Sequence, residues 1–373
     1  VFLALVLWPV SWAKAEDIRK GHEPAQPLTG IEEMTDEKGE GASQGPTVQE
    51  RLLRKVKWNA FVELNYEYAD VIDVENEDSG PSSDLFIGTV GLALEVFFDT
   101  QSSARIALEA EDVGQQGGYG KIIIDEAFLS LRPLQPPLYL ILGKMQLPFG
   151  VFENHLIDGP LTEDLYEINE IGGTLGLTLD FWRLNVSCSI YKDPTVLRNL
   201  EDFNTHELRP GRNRDGRFRS YIANVTFVPL KETLFLGAFY NSEPGHGSRN
   251  QSIGGAITFV SWELKLDVEY ITALSREKDE DEQEAKESAW VVGLAYELLD
   301  TLELAARYET FDDERTGDQD EVVKYRMTGG INYSLWDFAS LSLQYSFSRF
   351  EKERDDNASD AENLFQIQLA LEL

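Results

Sequence analysis

From Val56 to Leu373 apolar and polar side chains alternate with a period of two, the spacing at which successive residues leave opposite faces of a β-strand. In the first such segment Val56, Trp58, Ala60, Val62, Leu64 and Tyr66 share one face, and Lys57, Asn59, Glu63, Asn65 and Glu67 the other. The division recurs in Trp182, Leu184, Val186, Cys188 and Ile190 against Arg183, Asn185, Ser187 and Ser189, and in Leu341, Leu343, Tyr345 and Phe347 against Ser340, Ser342, Gln344 and Ser346. Helical spacing cannot produce this pattern. Segments of this kind lie near 56–68, 84–99, 103–111, 121–132, 137–144, 168–179, 182–191 and 218–228. They continue near 232–241, 251–259, 262–273, 288–298, 301–310, 322–334, 338–349 and 362–373, about sixteen in all.

One face suits lipid and the other water. No stretch beyond residue 15 approaches the roughly twenty continuous apolar residues of a transmembrane helix. Strands cross a membrane only in a closed sheet, because an open edge would leave backbone N–H and C=O groups unpaired in hydrocarbon. The connections alternate in length: 100–102, 133–136, 229–231 and 335–337 are short, whereas 145–167, 192–217, 274–287 and 350–361 are long. Bacterial barrels have an even strand number, tight turns in the periplasm and long loops outside. The sequence therefore predicts an all-β fold, a transmembrane antiparallel up-and-down β-barrel of about 16 strands over residues 56–373, with a polar interior face running all the way round. A large soluble sandwich or solenoid would also alternate, but it would not explain the two-length rule of the connections.

Residues 1–15 are nearly all apolar and close on Ala13-Lys14-Ala15, the small-x-small pattern of a signal peptidase site. They are expected to be a signal peptide, with its basic segment upstream of Val1. Residues 16–55 are polar, carry Pro24, Pro27 and Pro46, and hold no sustained period, which predicts a flexible periplasmic segment. The 33 Lys and Arg against 66 Asp and Glu give a formal charge of -33, which excludes nucleic acid as a partner. The single cysteine, Cys188, rules out an internal disulfide framework and reads as a small lipid-facing or core residue. Aromatic residues near strand ends, among them Trp58, Tyr66, Trp182, Trp262, Trp290 and Trp336, fit interfacial girdles. The expected location is the cell outer membrane, with its lipid and lipopolysaccharide as partners. The last strand alternates Phe365, Ile367, Leu369, Leu371, Leu373, an ending that resembles the signal read by the barrel-assembly machinery, although an aromatic terminus is usual there.

One region carries a resemblance. It reads Asp125-Glu126-Ala127-Phe128-Leu129-Ser130-Leu131, then Gly143-Lys144-Met145-Gln146-Leu147-Pro148-Phe149-Gly150, then Phe152-Glu153-Asn154-His155 and Asp158-Gly159-Pro160-Leu161-Thr162. This resembles the LbtU family of siderophore porins, in which a DEAY-type strand precedes GK-x-x-x-PFG, F-E-x-H and a D-P-L-T turn. The resemblance is motif-grade across 125–170, and Gly159 and Leu373 depart from the family pattern. It implies uptake of ferric siderophores without a plug domain. The PFG element also occurs in other porin families, so fold transfers more safely than substrate.

The insert 145–167 is the most apolar of the long loops. Phe149, Val151, Phe152, Leu156 and Ile157 would be poorly placed in open water, so the loop is expected to fold inward as a constriction loop built from Lys144, Phe149, Glu153, His155 and Asp158. Its charges would face basic wall residues Arg105, Lys121, Arg183 and Lys265, and opposed charges across a constriction orient charged solutes. A loop that merely braces the barrel is the plainer alternative. In loop 192–217, Arg209, Arg212, Arg214 and Arg217, with Arg198 and Arg219 nearby, form a cluster suited to bidentate capture of carboxylate or phosphate; a solvated basic loop is the alternative. His22, His155, His206 and His246 are too scattered for a metal-ligand spacing, and no cofactor motif or nucleophile elbow is present, so neither metal, cofactor nor enzyme activity is expected. Three readings stay open: a siderophore-uptake porin, a general or anion-preferring diffusion porin, and a structural or adhesin barrel. Many sixteen-stranded porins are trimers; a homo-oligomer is compatible with the sequence, in which nothing marks a subunit contact.

Overall fold

The computed structural model describes residues 55–72, 81–115, 120–132, 137–202, 217–231, 233–245, 248–277, 286–313, 322–351 and 361–373. The expected signal peptide and nearly all of the N-terminal segment lie outside them. The strands are β1 (Val56–Ile72), β2 (Pro81–Phe97), β3 (Ser102–Val113), β4 (Ile122–Leu131), β5 (Leu138–Gln146), β6 (Asn169–Leu179), β7 (Leu184–Lys192) and β8 (Phe218–Leu230). They continue as β9 (Leu234–Pro244), β10 (Arg249–Ser261), β11 (Leu264–Ser275), β12 (Glu287–Leu299), β13 (Leu302–Asp313), β14 (Val322–Trp336), β15 (Ala339–Glu351) and β16 (Ala361–Glu372). Each strand pairs with its sequence neighbours, and β1 pairs antiparallel with β16 from Phe61↔Glu372 to Ile72↔Ala361, closing the barrel. Leu373 N–H donates to the Ala60 carbonyl at 2.9 Å and Ala60 N–H returns a bond at 3.2 Å, so pairing runs to the last residue. Closure leaves no strand edge, as lipid requires.

The alternation sorts the faces as the sequence predicts. Trp58, Leu64, Leu92, Ile106, Leu175, Ile257 and Ile331 are exposed on the outside, whereas Glu63, Asn65, Glu109, Ser187, Ser189, Asn224 and Gln344 are buried within. Cys188 stands on the outer face. At the long-loop end Trp290, Tyr308, Tyr325 and Phe347, one from each of β12 to β15, form a ladder with ring centroids 5.7, 6.4 and 6.2 Å apart. Trp336 stacks on Phe338 beside a tight turn at the opposite end. Two aromatic belts result, as an interfacial girdle demands.

The interior is not polar all round, contrary to expectation. Ile222, Phe239, Ala256, Ile271, Ala289 and Phe311 turn inward from β8 to β13 and join an apolar cluster with Met145, Leu147, Phe149, Phe152, Leu161, Leu165 and Tyr166. A single inward Ile on an otherwise polar face reads as noise in one strand; six neighbouring strands assemble such residues into a docking surface.

Strand β5 has nine residues and β4 ten, against seventeen in β1 and β2, so the chain leaves the wall early at this point. Their pairing spans only Ala127↔Lys144 to Leu131↔Leu140. Within it Gly143 adopts φ 140°, and a Cβ there would collide with the Ala127 carbonyl and the Phe128 backbone. Gly143→Ala is expected to lower barrel stability by about 1–3 kcal/mol through backbone strain and weakened β4–β5 pairing. The unfolding midpoint of the heat-modifiable band in detergent checks this; an unchanged midpoint would show that the wall relaxes freely there.

Candidate functional site

The segment after β5 drops into the barrel and crosses it. Gly150, at φ 97°, opens the turn, and the ring of Phe152 lies over its Cα where any side chain would collide. Phe149 packs edge-on against Phe239 at 5.3 Å and Tyr166 at 6.3 Å, both buried. A short helix, α1 (Leu161–Tyr166), and a second, α2 (Thr195–Asp202), pack on the same cluster. Helix α2 starts over the buried carboxylate of Glu243, which accepts the N–H groups of Thr195, Val196 and Leu197 at 2.8, 3.0 and 3.3 Å. A carboxylate at a helix N-terminus satisfies its free donors and meets the positive end of its dipole.

Polar anchors tie the loop to the far wall. Asn224 of β8 donates to the Pro148 carbonyl at 3.0 Å, and Glu269 of β11 accepts Val151 N–H at 2.7 Å and Thr162 Oγ1 at 2.8 Å. Arg307 of β13 donates to the carbonyls of Asp158 and Gly159 at 3.0 and 2.8 Å, and Arg326 of β14 donates to Gly159 at 3.0 Å. Both guanidiniums pair with Glu309, which is wholly buried and also accepts Leu161 N–H at 2.5 Å. Gln344 of β15 and Gln366 of β16 donate to the two Asp158 oxygens at 2.6 and 2.9 Å. The loop thus spans from β5 to β16.

His155 lies at the middle of the crossing. Its Nδ1 is 3.2 Å from Glu303 Oε2 and its Nε2 3.6 Å from Asp267 Oδ2. Burial pulls the imidazole pKa down, but Asp267 and Glu303 outweigh it and the net shift is upward. Glu153 pairs with Lys265. At the far side of α1, burial pushes the Glu167 carboxyl up to about 8, with Glu163, Asp125, Asp164 and Glu111 adding to the effect. Enclosure raises Asp164 to about 6 against the pull of Arg326, although its side chain keeps 37% exposure and lumen water moderates the shift.

Of the residues predicted for the constriction, Phe149, Glu153, His155 and Asp158 all lie on the crossing segment, where Glu153 and His155 come together beside Asp267, Lys265 pairs with Glu153, Phe149 joins the apolar cluster and Asp158 is held by β15 and β16. Lys144 does not: the register sets it beside Ala127 and Ile171 on the outer face, with Nζ on the Ile124 carbonyl at 2.5 Å. Arg183 is likewise not in the wall. It occupies the turn before β7 at φ 49°, because the connection is two residues longer than its sequence suggested. Arg105 stands on the wall of β3, paired with Glu126 at 2.6 Å, and Lys121 is exposed just before β4. Arg209, Arg212 and Arg214 lie outside the described residues; Arg217 is exposed ahead of β8, and Arg198 pairs with Glu170 at 3.2 Å. The sequence does not single out the anchors Glu269, Arg307, Glu309, Arg326, Gln344 and Gln366. The available signal was Arg307 and Glu309 two apart on the inward face of β13.

A closed sixteen-stranded antiparallel barrel with a loop folded across its lumen defines an outer-membrane porin-like barrel. Residues 231–373 match the family model of the phosphate-selective porins O and P. No curated protein matches the sequence. Among solved structures, the fold is similar to an anion-selective porin from Comamonas acidovorans (TM-score 0.63, 13% identity, 85% of this chain and 99% of that one). It is similar to the outer membrane channel DcaP of Acinetobacter baumannii (TM-score 0.65, 13% identity, 85% and 97%). It is also similar to OmpT of Vibrio cholerae in its trimer form (TM-score 0.55, 14% identity, 85% and 99%).

Proposed function

We propose that this chain is a porin-like channel for small hydrophilic solutes, narrowed where the loop crosses the lumen. The observation that carries the reading is the loop's anchorage: its polar contacts fall on β8 and β11 to β16, which directs the open passage along β1 to β4. The inward face of that wall carries Glu63, Glu67, Glu95, Glu109, Glu111 and Glu126 against Lys57 and Arg105, and the loop side adds Asp158, Asp164 and Glu167. Such a lining attracts cations and repels anions.

The substrate is a finer matter. The run at 125–162 favours a ferric siderophore, and the names of the family model and of the Comamonas porin favour phosphate or other anions. Arg105, Lys265, Arg307 and Arg326 each sit against a carboxylate, and an anion-preferring version leans on the capture cluster Arg209, Arg212, Arg214 and Arg217.

Planar bilayers test the channel and its sign together. Glu167 and Asp164 are neutral below their raised pKa values and charged above them, so raising pH from about 5 to about 9 adds negative charge to the passage. Discrete conductance steps are expected, with a reversal potential of cation sign that grows with pH, and Glu167→Gln should remove the upper part of that growth. Absence of conductance would end the channel reading, and a reversal potential of anion sign at every pH would install the anion version. Growth on a ferric siderophore as sole iron source, with and without the protein, separates the siderophore version from general diffusion.

A further inference from the structure

The spacing of the four histidines holds no metal motif, but the fold brings His155 against two carboxylates from different parts of the chain. From this geometry we infer a binding site for a divalent transition-metal ion of the zinc class, made by Glu153 and His155 of the crossing loop and Asp267 of β11. Their ligand atoms lie within 4.8 Å of one another. Asp267 is 7% exposed, and neither of its buried oxygens has a hydrogen-bond partner; the Nε2 of His155, which faces it, has none either. The gap of 3.6 Å between that nitrogen and Asp267 Oδ2 is too long for a hydrogen bond. It suits an interposed ion: a metal about 2.0–2.1 Å from nitrogen and about 2.0–2.2 Å from oxygen at a tetrahedral angle separates the two by roughly 3.4 Å.

The surroundings are those of a ligand held ready. Glu303 takes the Nδ1 of His155, which presents Nε2 to the metal position, and Asn332 Nδ2 donates both to Glu303 Oε1 at 3.0 Å and to the His155 carbonyl at 2.8 Å. A carboxylate behind a ligating imidazole fixes its tautomer and raises its basicity. Lys265 pairs with Oε2 of Glu153, which holds that side chain beside the position. A small cavity bordered by Glu153, Thr258, Asp267 and Glu269 adjoins the position. The carboxylates that favour a proton on His155 favour a doubly charged ion more strongly, since Coulomb attraction scales with charge. One imidazole and two carboxylates suit zinc, whereas calcium and magnesium prefer all-oxygen sites. Occupancy would pin the crossing loop to β11.

Titration calorimetry on the full chain in detergent, stripped with a chelator and then given Zn2+ in excess Ca2+, tests the site. One saturable Zn2+ per chain is expected for the parent protein and for the control His206→Ala. Asp267→Asn and His155→Gln should weaken it at least about tenfold, and Glu303→Gln about 10–100-fold. Heat-modifiable migration on gels verifies that each variant is a folded barrel. Should Asp267→Asn fail that check, His155→Gln decides, together with the visible spectrum of the Co2+-loaded parent, where a tetrahedral nitrogen and oxygen site absorbs and an aquo ion scarcely does. Absence of saturable binding, or binding indifferent to His155→Gln, would overturn the site.

Discussion

Replacing Glu309 by alanine is expected to lower the stability of the folded barrel by about 3–5 kcal/mol, the range found when one partner of a buried ion pair is removed. Glu309 has no solvent exposure and holds Arg307 at 3.0 Å, Arg326 at 2.6 Å and the N–H of Leu161 at 2.5 Å. Without it two guanidiniums face each other without their shared counter-ion, and both also hold the Gly159 carbonyl, Arg307 that of Asp158 as well. The loop should then detach from β13 and β14, so that single-channel current flickers between the parent level and a larger one. Glu309→Gln keeps an acceptor for Leu161 while removing the charge, and should fall between the two. Thermal midpoints from heat-modifiable migration and current traces check the effect; a variant as stable and as quiet as the parent would remove the anchoring argument.

Excision of residues 149–159 with a short Gly-Ser bridge should raise conductance severalfold and admit larger sugars in liposome swelling. Phe149 and Phe152 leave the apolar cluster and the buried Ile157 goes with them, and each buried side chain of that size contributes about 1.5–3 kcal/mol, so the barrel should also melt earlier. It should still form, because the backbone ladder from β1 to β16 contains none of the excised residues. Unchanged conductance would mean that the passage lies elsewhere than along the loop. The two experiments separate causes: Glu309→Ala loosens the loop with its side chains present, whereas excision removes them.

Much of this architecture is readable from residues in order. Period-two alternation marks all sixteen strands, and the two-length rule of the connections orders them into an up-and-down barrel. The apolar run Phe149–Ile157 announces a loop that cannot remain in water, and it is indeed buried at Phe149, Phe152 and Ile157. Sequence and structure part where one residue of register matters. Lys144 follows Gly143 in the motif and by order alone belongs with the loop, yet pairing with Ala127 and Ile171 turns it outward; Arg183 continues the alternation of a strand that begins one residue after it.

Alternation is a local property, imposed residue by residue through the pleat, and it specifies which face each side chain takes. The partners of the crossing loop are a property of closure. Glu269, Arg307, Glu309, Gln344 and Gln366 stand 100 to more than 200 residues from the loop atoms they hold, and in their own strands they look like any other polar lumen residue. Only when sixteen strands return to β1 does one side of the wall face the other, and only then do Glu153, His155 and Asp267 share a point in space. A periodic signal carries no information about distances across a lumen, because those depend on strand number and curvature rather than on any neighbouring residue.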